Sequence, residues 1–268
     1  MASFSIISNI ASVNAQANLQ ATSLGLNKAL TRLSSGLRIN MSGDDAAGLA
    51  VANQYRSDIA ILNQGVRNAN DGLSTLQTKD GALNNISTLL DRLATLATQA
   101  SSTSNGVNIS TLSDEYGTII EEIDRQAAVA DLAASSDFSV FVSSEATVAD
   151  GVISGSIGAA DSTTLGLSAT SFTSASEAQD ALAEVTAAIG TLGDVQNSVG
   201  TLQNRLTFAI SLAQSQIVNT KAAESRIRDA NIAEESANMT RFNILSQSGI
   251  ASLAQANQSS AAVLALLR

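Results

Sequence analysis

The stretch Ile59–Ala100, IAILNQGVRNANDGLSTLQTKDGALNNISTLLDRLATLATQA, decides the fold. Its apolar residues recur at alternating steps of three and four, the spacing of one face of an α-helix. This grid comprises Ile59, Leu62, Val66, Ala69, Leu73, Leu76, Leu83, Leu90, Ala94 and Ala97, with Asp80 and Ser87 as polar interruptions. A second stripe consists of Ile86, Leu89, Leu93, Leu96 and Ala100. The sequence therefore predicts one long helix whose later half packs against more than one neighbour.

The same spacing returns late in the chain. Its grid comprises Leu182, Val185, Ile189, Leu192, Gln196, Val199, Gln203, Leu206, Ile210, Ala213 and Ile217. About forty helical residues span roughly 60 Å, so the two long helices match in length. Helical spacing also runs through Leu112–Leu132, which predicts a hairpin with the first long helix. The 268 residues contain no proline, which would kink such helices. Together these patterns predict a long antiparallel helical coiled-coil rod.

Residues 135–176 differ in character, because they are rich in Ser, Thr, Gly and Val. Phe138, Val140 and Val142 alternate with polar residues, a pattern typical of short strands. The fold class is therefore mainly α: a long antiparallel coiled-coil rod, a small β-containing tip at 135–176, and a terminal two-helix coiled coil. We expect an N-terminal segment 1–42, a rod core 43–223, and a C-terminal segment 224–268 that pairs with 1–42.

Both ends of the chain lack charge, since residues 1–27 and 242–267 contain no ionisable side chain. Both ends nevertheless have helical apolar spacing, which indicates packing rather than a linker. The predicted polymerisation seam consists of Ile6, Ile10, Val13, Ile250, Leu253, Leu264 and Leu267. A charge buried in a tightly packed assembly costs several kcal/mol, which gives a physical reason for uncharged ends.

Composition argues against several classes of function. A net charge of −10 disfavours nucleic acid as a partner. The chain has no His and no Cys, so we predict no catalytic, cofactor-binding or metal site and no enzyme activity. The adjacent carboxylates Asp44 and Asp45 are interpreted as helix-start residues. The longest apolar run, Ala261–Leu267, is far shorter than the ~20 residues that span a bilayer, so membrane insertion is not expected.

Several ordered motifs now resemble one family, the bacterial flagellins. They are LSSGLRIN (33–40), DDAAGLA (44–50), RNANDG (67–72), SRIRDAN (225–231) and the closing LLR (266–268). The resemblance covers about residues 1–132 and 177–268. Typical members insert large outer domains where this chain has about forty residues, so it is similar to a short-form flagellin. The common Asn-Gly-bearing segment after the hairpin is replaced by SSDFS (135–139).

The resemblance implies a structural subunit that self-assembles into the extracellular flagellar filament after type III export. It also implies an export chaperone and cap or junction proteins as partners. One alternative is a hook-filament junction protein, against which the SRIRDAN and LLR motifs count. A second is a membrane-active secreted protein, although the polar faces of the ends carry Asn, Gln and Ser rather than Lys and Arg.

The resemblance further implies candidate contacts for an innate-immune receptor, at Arg92, Leu96, Gln99 and Glu115. From the residues alone, Arg92 and Glu115 are equally well interpreted as surface charges of a helical hairpin. If they form one patch, their two helices must be antiparallel neighbours.

Overall fold

In a computed structural model of the chain, residues 9–102, 108–143, 151–168 and 171–266 are described. The helices are α1 (Ile10–Ser35), α2 (Ala46–Ser101), α3 (Ile109–Val129), α4 (Ala175–Arg228) and α5 (Ile232–Leu266). The strands are β1 (Ser136–Phe141) and β2 (Val152–Ile157), which form one antiparallel sheet. This confirms the predicted mainly α class. None of the described helices has an apolar stretch suited to crossing a membrane.

The chain forms two compact units. The terminal unit comprises residues 1–57 and 220–268, and the central unit comprises residues 58–219. These boundaries fall inside α2 and α4, whereas the sequence predicted divisions after residues 42 and 223. Each unit is described below by itself.

The buried face of α2 in the central unit keeps every second position of the predicted grid, namely Leu62, Ala69, Leu76, Leu83, Leu90 and Ala97. Its intermediate positions differ, since Lys79, Ile86 and Leu93 are buried rather than Asp80, Ser87 and Ala94. The buried positions therefore keep an unbroken three-four spacing, and Asp80 and Ser87 lie beside the core rather than within it. The Lys79 ammonium group is accommodated because it donates to the Asp131 backbone carbonyl, with the Asp131 carboxylate 3.3 Å away.

The buried face of α4 contains Val185, Leu192, Val199, Leu206 and Ala213, all on the predicted grid. Its intermediate positions differ, since Ala188, Val195 and Leu202 are buried rather than Ile189, Gln196 and Gln203. Both choices satisfy a three-four spacing, so the spacing alone could not separate them.

Strands β1 and β2 lie alongside α2 and α4. They pair from Ser136 with Ile157 to Phe141 with Val152. A Cβ on Gly72 of α2 would lie 2.8 Å from Val140 Cγ2 and 3.6 Å from Leu206 Cδ1, and one on Gly155 of β2 would lie 2.8 Å from Leu202 Cδ2. Glycines at these positions therefore let the strands lie close to both helices. The sheet accordingly flanks the two helices rather than extending beyond their ends as a tip.

Helix α3 and the chain after β2 complete the central core. The Asp124 carboxylate accepts from the backbone N–H of Ser162 at 2.8 Å and from its hydroxyl at 2.9 Å. Farther along, Phe172 donates its N–H to Ser113 Oγ, and its ring packs edge-on against Tyr116 with centroids 5.3 Å apart. Residues 159–168 and 171–172 therefore run along α3 and close the core over it.

Candidate assembly surface on the terminal helices

Helices α1 and α5 pack against each other in the terminal unit. They are antiparallel, because positions that ascend along α1 meet positions that descend along α5. The contacts, from the start of α1 onward, are Asn9 Nδ2 to Ala256 O at 2.9 Å, Leu19 with Gly249, Gly25 with Phe242, and Arg32 Nη1 to Glu235 Oε1 at 3.0 Å. This confirms the predicted terminal two-helix coiled coil.

The inward faces of the pair have heptad spacing and combine large apolar side chains with small or polar ones. On α1 the shielded positions are Ser12, Ala15, Leu19, Thr22, Leu26, Ala29 and Leu33. On α5 they are Glu235, Met239, Phe242, Ser246, Gly249, Leu253 and Ala256. Apart from Ala29 and Glu235 they are only half-buried. The pair alone therefore buries little apolar surface.

The predicted seam residues mostly point away from this contact. Ile10 is 61% exposed, Val13 62% and Ile250 56%, whereas Leu253 is half-buried on the inward face. Ile6 and Leu267 lie outside the described residues, as does the side chain of Leu264. Among the seam residues whose side chains the structure describes, Leu253 alone lies in the α1–α5 contact. Ile10, Val13 and Ile250 instead face outward, and we call the surface they occupy the outward surface.

This outward surface is uncharged and carries several large apolar residues. Leu24 of α1 and Ile244 of α5 are also largely exposed, and no charged residue occurs before Lys28. Beside them, a groove of about 640 Å³ between the two helices is lined by small and neutral side chains, together with Phe242 and Leu245. Such a surface suits another uncharged helix, since nothing charged would be desolvated when it is covered.

Charged residues occur at the segment between α1 and α2, which we call the joint. Lys28 Nζ lies 3.0 Å from Asp44 Oδ1, while the backbone N–H groups of Asn40 and Met41 donate to Asp44 Oδ2. The hydrogen bond from Lys28, aided by that from Asn40, lowers the pKa of Asp44 below its usual value. Asp45 accepts from the Gly48 N–H at 2.9 Å and so caps α2. Asp44 and Asp45 are therefore held by structural contacts, as the sequence interpretation expected.

The joint after α1 is paired with the short break between α4 and α5. Gly36 ends α1 in the left-handed conformation, with φ of 72°. Its carbonyl accepts from the Ala230 N–H at 2.9 Å, and the Arg38 N–H donates to the Arg228 carbonyl at 2.6 Å. Sequence reasoning placed a helix start at Asp44 and Asp45 but missed this pairing. The available signal was that both helical patterns are interrupted between the uncharged ends and the long helices.

The candidate receptor residues lie in the central unit. Arg92 of α2 donates its Nε–H to Glu115 Oε1 of α3 at 3.0 Å, so these two helices are neighbours at the two charges. Gln99 is exposed. Leu96, however, is only 1% exposed within the core. It is therefore not available as a surface contact, because a leucine at this position of the second stripe packs inward.

Comparison with known proteins decides the family. The model of the bacterial flagellin N-terminal helical region matches residues 6–132, and that of the C-terminal helical region matches residues 182–267. A flagellin of Halalkalibacterium halodurans is 38% identical, with 97% of this chain and 98% of that protein covered. The chain belongs to the bacterial flagellin family.

Other flagellin relatives show the same coverage. A flagellin of Bacillus subtilis is 33% identical over 97% of this chain and 98% of its own length. The "Flagellar filament 33 kDa core protein" of Treponema phagedenis is also 33% identical, with the same shares covered. Among solved structures, a crystal structure of Bacillus cereus flagellin is 27% identical, covers 59% of this chain and 94% of that chain, and has a TM-score of 0.47.

The joint after α1 and the break between α4 and α5 both lie within the regions matched to the flagellin family. The motifs LSSGLRIN (33–40) and SRIRDAN (225–231) carried much of the resemblance, and the structure places them at the paired breaks. Leu37 forms an isolated antiparallel bridge with Asp229 between them. The two motifs therefore specify one structural feature, the joint from which α1 and α5 begin their pairing.

Proposed function

We propose that this chain is a structural, non-enzymatic subunit that polymerises with identical copies into a bacterial flagellar filament. The observation that carries the proposal is the outward surface of α1 and α5, where large apolar side chains stay exposed and charges are absent. Membership in the flagellin family supports it, as does a relative named as a filament core protein.

The proposed assembly mechanism follows from the apolar side chains that remain exposed in the monomer. Burying a Val, Leu or Ile side chain completely contributes ~1.5–3 kcal/mol relative to leaving it exposed. Val13, Leu24 and Ile244 gain most of that only when a neighbour covers them, since each is more than 60% exposed. Lateral packing of terminal helices from several copies therefore drives assembly. Because their surface is uncharged, covering it removes water from no charged group.

The same proposal includes the route and partners that the family implies. The subunit is secreted by type III export and has an export chaperone and cap or junction proteins as partners. An innate-immune receptor that recognises the Arg92–Glu115 surface is a further proposed partner. A role as a hook-filament junction protein is the closest alternative. A membrane-active role is less well supported, because α1 carries no Lys or Arg before Lys28 to attract anionic lipid.

The test is a Val13→Asp variant compared with a Val13→Thr control. Val13 is 62% exposed, so both monomers should keep wild-type circular dichroism. In a polymer, Val13→Asp would bury a carboxylate at a cost of several kcal/mol, and 3 kcal/mol raises the critical concentration ~100-fold. The isosteric Val13→Thr should raise it much less. Both are measured by sedimentation and electron microscopy after seeding. Filaments of Val13→Asp at the wild-type critical concentration and neutral pH would refute the proposed role of this surface.

A further inference from the structure

A second, smaller cavity lies between the last turns of α1 and the first turns of α5. Its volume is about 260 Å³, and Phe242 is the one residue that it shares with the larger groove. We call it the Arg32 cavity. Besides a glycine, its lining comprises Lys28, Ala29 and Arg32 from α1 and Glu235, Asn238 and Phe242 from α5. Pockets for drug-sized ligands usually measure ~300–1,000 Å³, so an occupant of this cavity would be small.

Arg32 has an unsatisfied hydrogen-bond donor. Its Nη1 donates to Glu235 Oε1 at 3.0 Å, whereas its Nε is buried and has no hydrogen-bond partner in the part of the chain that the structure describes. Buried side-chain donors are nearly always paired, and an unpaired one often marks the position of a bound water or ligand. Because Arg32 lines the cavity, an acceptor that enters it would supply the missing partner.

The charges of the lining favour an anionic acceptor. Lys28 and Arg32 contribute two positive charges, against the single carboxylate of Glu235. Glu235 is only 8% exposed and is already held by Arg32. Lys28 lies 3.0 Å from Asp44 Oδ1, but an ammonium group has three donors and can serve a second acceptor. A ligand carboxylate could therefore pair with cations of this lining, whereas a cationic ligand would meet only a carboxylate that is already paired.

The rest of the lining offers apolar contact. Ala29 is buried, and Phe242 is half-buried with its side chain at both the cavity and the groove. An inorganic anion would leave this apolar part without a partner. Aromatic rings contact each other favourably, beyond the effect of the apolar area that they bury. The occupant that matches both parts of the lining is thus a small aromatic ring that carries one carboxylate.

We propose that the Arg32 cavity binds a small aromatic carboxylate. The carboxylate accepts from Arg32 Nε, and the ring packs against Phe242. Since the two helices form the cavity together, a bound ligand stabilises the pairing of α1 with α5. The proposal does not depend on the filament function, because it concerns the isolated subunit.

Benzoate is the probe, because it consists of one aromatic ring and one carboxylate. In a ligand-observed NMR titration of the full-length monomer we expect saturable binding with a Kd of ~1 mM, as is usual for a ligand of this size. At ten times the Kd, hydrogen exchange of α1 amides should slow about tenfold. Benzyl alcohol lacks the charge and acetate lacks the ring, so each should bind at least tenfold more weakly than benzoate.

A double variant tests the assignment to Arg32. Arg32→Met/Glu235→Leu removes the ion pair as a whole, so no buried charge is left unpaired and the helices should remain paired, as circular dichroism can verify. Benzoate should bind this variant at least tenfold more weakly. The matched control is Arg125→Met/Glu122→Leu, which removes an exposed ion pair of α3 and should bind benzoate as the wild type does.

Three results would overturn the proposal. The first is the absence of saturable binding of benzoate to the wild-type monomer at ~10 mM. The second is equal binding by the two double variants, which would place the ligand elsewhere. The third is binding of benzyl alcohol as tight as that of benzoate, which would show that the cations of the cavity do not recognise the ligand. This comparison of probes uses the wild-type chain, so it decides the question even if a variant fails to fold.

Discussion

The closest approach within the terminal pair gives the sharpest prediction. Gly25 lies in the middle of α1, where replacement by alanine ordinarily stabilises a helix by ~0.5–1 kcal/mol. Here a Cβ would lie 2.6 Å from both Cε1 and Cζ of Phe242 in α5. Carbon atoms in favourable contact are ~3.5–4.0 Å apart, so the ring or the helix must move by about 1 Å. Gly25→Ala should therefore weaken the α1–α5 contact despite its better helix propensity.

The magnitude follows from two opposing effects. Overpacking of this kind typically costs ~1–3 kcal/mol, and the propensity gain of ~0.5–1 kcal/mol offsets part of it. The net loss is then ~0.5–2 kcal/mol. At 1.4 kcal/mol per factor of ten, amides of α1 between residues 19 and 33 should exchange their hydrogens about two to thirty times faster. Hydrogen exchange of the monomer, read by mass spectrometry on peptides of α1, measures this directly.

Two further variants isolate the cause. Gly81→Ala changes an open mid-helix glycine of α2, so it should slow local exchange. In a Phe242→Leu background the ring is gone, and Gly25→Ala should regain the stabilising sign, with a coupling that a double-mutant cycle quantifies. If Gly25→Ala slows exchange in α1 as much as Gly81→Ala does in α2, the close contact with Phe242 does not control this pairing.

Two other predictions concern the central unit. Tyr116 is buried with a hydroxyl that has no hydrogen-bond partner within the described structure, and burial, followed by the charge of Glu184, raises its pKa to about 12. The unfolded tyrosine ionises near pH ~10, so stability should fall as pH rises from 10 to 12. Tyr116→Phe should add ~1–2 kcal/mol to the unfolding free energy at pH 8, measured by urea titration. It should also remove the loss of stability between pH 10 and 12, and a variant less stable than the wild type would contradict this. Replacing both Arg92 and Glu115 by Ala should lower the affinity of the monomer for the receptor ectodomain at least tenfold, whereas equal binding would show that the pair is only structural.

The sequence predicted the long helices well because their heptad spacing extends over many turns. It placed the register less well where two neighbouring positions were both plausible. Asp80 was assigned to the α2 grid, but Lys79 is the buried residue, since its ammonium group finds the carbonyl of Asp131. Asp131 adopts a positive φ of 54° at the turn after α3, which the spacing of apolar residues does not predict. The hydrogen bond from Lys79 to Asp131 thus favours one of the two buried positions that the apolar spacing allowed.

The terminal surface shows a different limit of sequence reasoning. The uncharged ends correctly predicted paired helices, and Ile10, Val13 and Leu253 were predicted together in one polymerisation seam. The structure places Leu253 on the inward side with Leu19 and Phe242, and it leaves Ile10 and Val13 exposed. The apolar spacing alone did not separate inward from outward positions, because both carry large apolar residues. A rule that puts all such residues inside assumes that the monomer is the final state.

The absence of charged residues is therefore a better indicator of assembly surfaces than hydrophobicity is. Charged residues are absent before Lys28, after Arg241 up to Leu267, and nearly absent along α4 from 185 to 220, although all three stretches have exposed faces in the subunit. Hydrophobicity does not separate these faces from the core, because both are apolar. A monomer gains nothing in solubility by lacking charge on an exposed helix face, whereas a polymer avoids the cost of desolvating it. Exposed and uncharged helix faces are thus expected where copies meet, and the outward surface of α1 and α5 is such a face.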